Sequence, residues 1–337
     1  MFQERRPSRG RRLVPRTPPG RVHGSLTWSP RPGTERYHPP LGNATAEGNM
    51  SSNIIGGVAV VTGASTGIGE ATALRLARDG HHVIAAMRRP ADSGLVEIAN
   101  AESLRLETAT LDVDSDESVT SLFAQVFAEL GRVDVLVANA GVGGGGGPME
   151  TATIDHFRST METNFFGALR CIHQVLPSMR ERGSGVIVGV SSQAGRIAPP
   201  TMPAYVASKW ALEGALESLA ASVASTGVRV AIIEPGCIMT PIFSKGEMTD
   251  VPAVYEPAGH AFLSLLLHDL ERASTPSVVA DCISDAITTH SPKLRYLVGQ
   301  GAGRNVAFRA AMTDEEYLSF NTLPPDEQVA RQLGSDT

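Results

Sequence analysis

The chain predicts a single-domain α/β fold, a doubly wound parallel sheet of about seven strands with helices on both faces. Three observations carry that expectation. Short, largely apolar runs recur, the first of them, Val58–Val61, wholly so, as parallel strands buried on both faces require. Helical periodicity fills the intervals between them. The first run opens through a glycine-punctuated turn into a helix. The apolar runs fall near residues 58–61, 82–87, 104–111, 133–138, 186–191, 228–234 and 294–298. This alternation continues from Gly57 to about Val298 without a linker, so the 337 residues are read as one sheet rather than two domains. We place the main domain at 50–305 and a C-terminal extension at 306–337.

Residues 1–49 are a different kind of sequence. They hold nine arginines against three glutamates, no lysine, many Pro and Gly, and no hydrophobic period. Such a segment cannot bury enough apolar surface to offset its ordering entropy, and it lacks the apolar core of a signal peptide. We read it as a disordered tail, or as sequence ahead of a true start at Met50, which leads straight into the first strand. A basic arm for nucleic acid is another reading of its charge. A transit peptide is a third, although Pro and Gly break the amphipathic helix it needs.

The first strand, Val58-Ala-Val-Val61, is followed by Gly63, Gly67 and Gly69, and a helical pattern then runs from Ile68 to the stop at Asp79-Gly80. A strand, a glycine turn and a helix N-terminus form an anion site. Free N–H groups and the positive end of the dipole face a pyrophosphate, and missing side chains let it approach. The spacing G-x-x-x-G-x-G is one residue longer than the G-x-G-x-x-G fingerprint, and an ordinary glycine turn is the plainer reading of the motif taken alone. At the end of the second strand, about 20 positions past the turn, a fold selecting NAD carries an acidic residue for the ribose 2′-hydroxyl. Met87 stands there instead, followed by Arg88 and Arg89. A guanidinium pairs well with a 2′-phosphate, so NADP(H) is expected over NAD(H), which remains possible. A solvated basic turn before Pro90 is the bland alternative. Asp112, ending the third strand, is expected near the adenine.

Further along, Gly143–Gly147 is a run of five glycines, open to conformations closed to other residues. It reads equally as a mobile rim beside the site or as a slack surface loop. A long helix is expected over Thr153–Arg182, with Asn164 inside it. Ser192 ends the apolar run Val186–Val190, at the strand edge where ligands bind in open α/β sheets. A hydroxyl there can donate to a substrate oxygen as charge develops on it, while Ser191 should point the other way. A turn or helix-cap serine is the alternative. Tyr205 and Lys209 lie four apart on a helix rich in Ala and Leu, hence on one face. A free phenol titrates at about 10, and a nearby ammonium should lower that value.

With these residues in view, the chain resembles the short-chain dehydrogenase/reductase family in its one-domain branch. The matching motifs are Thr62–Gly69, Ala138-Asn139-Ala140-Gly141, Asn164, Ser192, Tyr205-x-x-x-Lys209 and Pro235-Gly236, spread over residues 54–300. One departure is Ala138, where the family often has Asn; that position mainly steadies the central strand. The segment around Tyr205 and the stretch after Pro235 suggest hydroxysteroid- and retinol-dehydrogenase-like members. The resemblance implies a Rossmann-type sheet and hydride transfer between a nicotinamide and a carbonyl or alcohol carbon. It assigns Tyr205 as general acid/base, Ser192 as a holder of the substrate oxygen, and Lys209 as tuner of Tyr205 and ribose ligand. Asn164 is assigned to a water that links Lys209 to solvent. For the cofactor it implies Gly63, Ser65, Gly67, Ile68, Gly69, Asp112, Val113, Asn139, Ala140, Gly141, Pro235, Gly236, Ile238 and Thr240, beside Tyr205 and Lys209. It also places a substrate lid at 237–274, here carrying Met239, Ile242, Phe243, Met248, Val251, Val254, Tyr255, Phe262, Leu263 and Leu265. These suit a hydrophobic ketone, aldehyde or alcohol.

Two other classes stay open: a nucleotide-sugar epimerase or dehydratase, which expects a shorter glycine spacing and a larger C-terminal domain, and a non-catalytic dinucleotide sensor, which typically loses the Tyr, Ser or Lys. No apolar segment is long enough for a membrane span. The three cysteines, Cys171, Cys237 and Cys282, have no metal spacing and suit a reducing, cytoplasmic setting. No metal site and no nucleic-acid partner is expected. The expected assembly is a homodimer or homotetramer.

Overall fold

The structure is a computed structural model and describes residues 56–145, 147–244 and 251–334. The tail at 1–49, the proposed start at Met50, and Met248 of the lid lie outside the described residues. Seven strands form one all-parallel sheet: β1 (Val58–Thr62), β2 (His82–Met87), β3 (Leu106–Thr110), β4 (Val135–Ala138), β5 (Gly185–Val190), β6 (Val228–Pro235) and β7 (Arg295–Val298). Their spatial order is β3-β2-β1-β4-β5-β6-β7, so the winding reverses between β1 and β4. Every expected strand is present. β3 and β4 are shorter than their apolar runs because Leu111 and Val133 stay buried beyond the paired register.

Side chains alternate along each strand and so feed two cores. Val60, Ile84, Leu136 and Ile187 face α3 (Asp116–Leu130), α5 (Gly167–Arg182) and α6 (Pro203–Val223), where Phe123, Met179, Leu212 and Leu216 are fully enclosed. Val61, Ala85, Val137 and Val188 face α1 (Gly67–Arg78), α2 (Leu95–Glu102) and α8 (Pro276–Thr288), meeting Leu76, Leu95, Ile283 and Ile287. The wholly apolar strands are explained by this double coverage. Between β6 and α8 runs α7 (Glu256–Glu271), and beyond β7 come α9 (Ala302–Ala310), α10 (Asp314–Phe320) and α11 (Pro325–Leu333).

One expected element is broken. The stretch 153–182 is α4 (Ile154–Met161), then a π-helical turn at Glu162–Phe166, then α5. A π turn inserts an extra residue and is frequent at functional sites. Here it turns Asn164 into the interior, where the side chain is 1% exposed.

Candidate active site

The carboxyl ends of β1, β4, β5 and β6 open on the same edge of the sheet, at the reversal in strand order. Gly63 (φ +67°) and Gly67 (φ +64°) hold the turn after β1 in the left-handed region. A Cβ on Gly63 would stand 2.7 Å from the Ala140 Cα, so the turn nests against the end of β4. Asn139 fastens the two: its amide donates to Thr62 Oγ1 at 3.0 Å and its side chain to the Thr62 carbonyl at 2.9 Å. The Ala140 amide also reaches Thr62 Oγ1, at 3.0 Å. Thr240, arriving from β6, packs on Gly67. Thr66, preceding α1, makes no side-chain cap, which leaves the first amides of a twelve-residue helix for an anion.

Around this cradle the other expected cofactor residues divide. Ser65 is exposed beside the glycine turn, and Gly141 lies between Asn164 and Lys209. Pro235 and Gly236 end β6, and the Gly236 amide donates to the Val298 carbonyl at 2.9 Å. The side chains of Ile68, Val113 and Ile238 pack into the core, so only their backbone can serve a ligand. The Val113 carbonyl already accepts from Arg170 at 3.3 Å. Asp112 is half-buried and caps the Asp114 amide at 3.1 Å. The two arginines after β2 are not equivalent. Arg89 pairs with Asp92 at 2.9 Å, whereas Arg88 is exposed on the side of the Asp114 carboxyl, whose pKa its charge helps lower against a larger effect of burial. A dinucleotide fits this edge: glycine turn, uncapped helix start and a cationic side chain stand in the order such a ligand needs.

The second group of residues lies where β5 and α6 meet. Ser192, two residues past β5, opens a 3-10 turn Gln193–Gly195 and accepts from the Ala194 amide at 3.1 Å. Tyr205 sits in the first turn of α6, with Ser192 near enough to its phenol to lower its pKa by hydrogen bonding. Burial pushes that phenol above its ordinary value, and the Ser192 hydrogen bond only partly opposes it. The lowering expected from Lys209 is therefore not found. Lys209 Nζ stands 5.7 Å from the Tyr205 ring centre and donates to the Val190 carbonyl at 3.0 Å. Burial also acts on Lys209, pushing its ammonium down to about 8 against the raising influence of Glu213, one turn further along α6. Ser191 points away as expected, toward Gly195 and Glu213.

Asn164 is spent differently from the expectation. Its Oδ1 accepts from the Val142 amide at 2.8 Å, and its Nδ2 donates to the Val142 carbonyl at 3.1 Å and to Ser208 Oγ at 2.9 Å. Both amide hydrogens are engaged, so a water has only the remaining Oδ1 lone pair. Ser208, which hydrogen-bonds the Tyr205 carbonyl at 2.7 Å, escaped the sequence reading although it lies inside the Tyr205–Lys209 interval. The glycine run is no slack loop where it is described: Gly143 packs on Ile242 and Gly144 on Met202, next to Tyr205.

The family model for short chain dehydrogenases matches residues 57–250. Human retinol dehydrogenase 8 is 35% identical over 250 residues, covering 70% of this chain and 79% of its own. A short-chain dehydrogenase structure from Streptomyces avermitilis superposes with TM-score 0.67 at 36% identity, covering 79% of this chain and 98% of that one. A metagenomic short-chain oxidoreductase solved with NADP gives TM-score 0.60 at 29% identity, covering 73% and 98%. The chain belongs to the short-chain dehydrogenase/reductase family and is an NAD(P)-dependent oxidoreductase.

Proposed function

We propose that the protein interconverts a hydrophobic ketone or aldehyde and its alcohol with NADP(H). The observation that carries this reading is the meeting of Ser192, Tyr205 and Lys209 at the end of β5, beside the glycine cradle. When bound, the dinucleotide supplies or accepts the hydride. In the reductive direction Ser192 Oγ and the Tyr205 hydroxyl hold the substrate oxygen, and Tyr205 gives it the phenolic proton. The Lys209 ammonium favours the phenolate left behind. Asn164 acts as a brace, fixing the Gly141–Val142 backbone between Lys209 and the cradle. The neutral phenol of the free protein is the form that donates. Retention of Tyr, Ser and Lys in one site distinguishes this reading from a non-catalytic sensor, and the longer glycine spacing distinguishes it from a sugar epimerase.

Substrate class follows from the segment 237–274. Met239 is 64% and Val254 77% exposed, with Ile242, Tyr255 and Phe262 partly buried behind them. Such a surface favours an apolar ligand, in keeping with the retinol named for one relative. For the cofactor, Arg88 is the residue we assign first to a 2′-phosphate, since Arg89 shares its charge with Asp92 in an exposed pair. A shallow apolar groove on α5 and α6, lined by Leu169, Ile172, Leu176 and Leu219, supports a homo-oligomer.

The deciding experiment follows NADPH absorbance with a panel of aryl, steroid-like and short polar ketones. We expect saturable turnover of the apolar compounds, with NADPH favoured over NADH and the preference lost in Arg88→Ala but kept in Arg89→Ala. Turnover confined to short polar compounds overturns the substrate class, and equal efficiency with NADH overturns the role of Arg88.

A further inference from the structure

The last three helices do more than follow the sheet. Asn305, on α9, is 7% exposed and donates to Gln193 Oε1 at 3.0 Å; Gln193 is the residue immediately after Ser192. The same Nδ2 reaches Asp269 Oδ2 at 3.4 Å, at the end of α7 in the lid segment. Asn305 Oδ1 is itself occupied, accepting from Arg304 Nε at 3.2 Å and from Gln332 on α11 at 3.0 Å. Asp269, 2% exposed, accepts hydrogen bonds on both oxygens from Arg304 Nη2 at 2.7 Å each, and on Oδ1 from Gln300 Nε2 at 3.1 Å. A second bond joins the extension to the same loop, from the Tyr317 hydroxyl on α10 to the Ala198 carbonyl at 2.8 Å. Phe308 and Phe320 stack edge to face at 5.1 Å and hold α9 to α10.

We infer that Asn305 is a positioning residue for the proposed active site, setting the Ser192 turn in register with the lid helix α7 through Gln193 and Asp269. The inference rests on the assignment of Ser192 to substrate binding. Its physical basis is the exhaustion of Asn305's hydrogen-bonding capacity by four partners, its neighbour Arg304 and three on separate pieces of chain, Gln193, Asp269 and Gln332. An amide so held resists rotation, and it restrains the Gln193 side chain whose Oε1 accepts its hydrogen bond. Through Gln193 the restraint reaches the backbone turn that Ser192 opens. Small displacements of a positioned group are expensive in rate, up to about a hundredfold per ångström, so a brace one residue away matters to turnover while touching no substrate.

The test uses full-length protein carrying Gln193→Ala, Asn305→Ala or both, with NADPH affinity, kcat and KM for a reduced ketone, and thermal midpoints. Each single variant is expected to lower kcat about tenfold, an order set by such misplacement, with NADPH affinity and KM within twofold. Because both remove the same contact, the double variant should be no slower than the worse single one. Unchanged kcat in the single variants, or losses that multiply in the double variant, overturn the proposal. A readout independent of turnover is the ultraviolet titration of the Tyr205 phenol, taken as a difference against Tyr205→Phe. Loosening Ser192 removes the hydrogen bond that restrains that phenol, so Asn305→Ala should raise its midpoint. An unmoved midpoint counts against the brace even if no ketone is found, whereas a raised midpoint without ketone turnover rejects only the proposed reaction.

Discussion

Tyr205 and Lys209 set opposing demands on the same few cubic ångströms. Burial favours the neutral phenol, the form the proposed reaction uses as its proton donor, but it also favours the neutral amine, whereas that reaction needs a charge on Lys209. Tyr205→Phe keeps the ring and Lys209, so NADPH binding should persist while turnover falls roughly 10²–10⁴-fold, the usual contribution of a positioned acid; stopped-flow fluorescence and steady-state rates check the two halves separately. For Lys209 the sign can be worked out. Its folded value, about 8, lies below the ordinary 10.5, so between those limits the unfolded chain binds more protons. Stability of the cofactor-free protein should therefore gain a rising contribution from about pH 8 upward. Over the same window the site loses its cation, and NADPH affinity should weaken. Lys209→Met should bind NADPH less well at neutral pH and show neither pH-dependent change; denaturant melts and binding titrations from pH 7 to 10 read both.

At the scale of elements, the strands were legible because a parallel strand covered on both faces must be apolar, a condition β4 and β5 meet throughout and β1 meets up to Thr62. The glycine turn and the Tyr205–Lys209 helix were legible because their chemistry is local in the chain. The π turn was not. Nothing in Glu162–Phe166 departs from helical composition; the turn arises because Asn164 finds its partners 22 residues back, in Val142, and 44 ahead, in Ser208. The sequence reading also expected Lys209 to govern Tyr205, because spacing reveals proximity and not how much water burial removes. Asn164→Ala tests the element. It removes the donor to the buried Ser208 hydroxyl and frees the Val142 amide and carbonyl, which water can partly satisfy because Val142 is exposed. A buried group left unsatisfied costs about 1–3 kcal/mol, an upper bound here. We expect a loss within that bound in chemical denaturation, with a slower kcat, and partial recovery of stability in Asn164→Asp, which keeps the Oδ1 acceptor.

For the whole molecule, the proposed reading has the cradle and the Arg88 surface, from the N-terminal part of the main domain, and the lid segment, from its C-terminal part, serve one ligand. A ligand that binds only the folded state stabilises it by about 2.7 kcal/mol at a hundred times its Kd. Thermal midpoints should therefore rise more with NADPH than with equimolar NADH, and the difference should shrink in Arg88→Ala. Equal shifts would place the discrimination elsewhere than at the end of β2.

The hydrogen bonds from Asn305 to Gln193 and from Tyr317 to Ala198 join residues 112 and 119 positions apart. Contacts so distant along the chain form late, after loop closure has been paid. During synthesis, the nucleotide cradle of β1 and β4 can assemble while the turn behind Ser192 still awaits helices that have not left the ribosome. A nascent chain arrested before residue 302 should then retain NADPH on a pull-down yet convert no ketone, and enzymatic competence should appear as a distinct, later event of maturation.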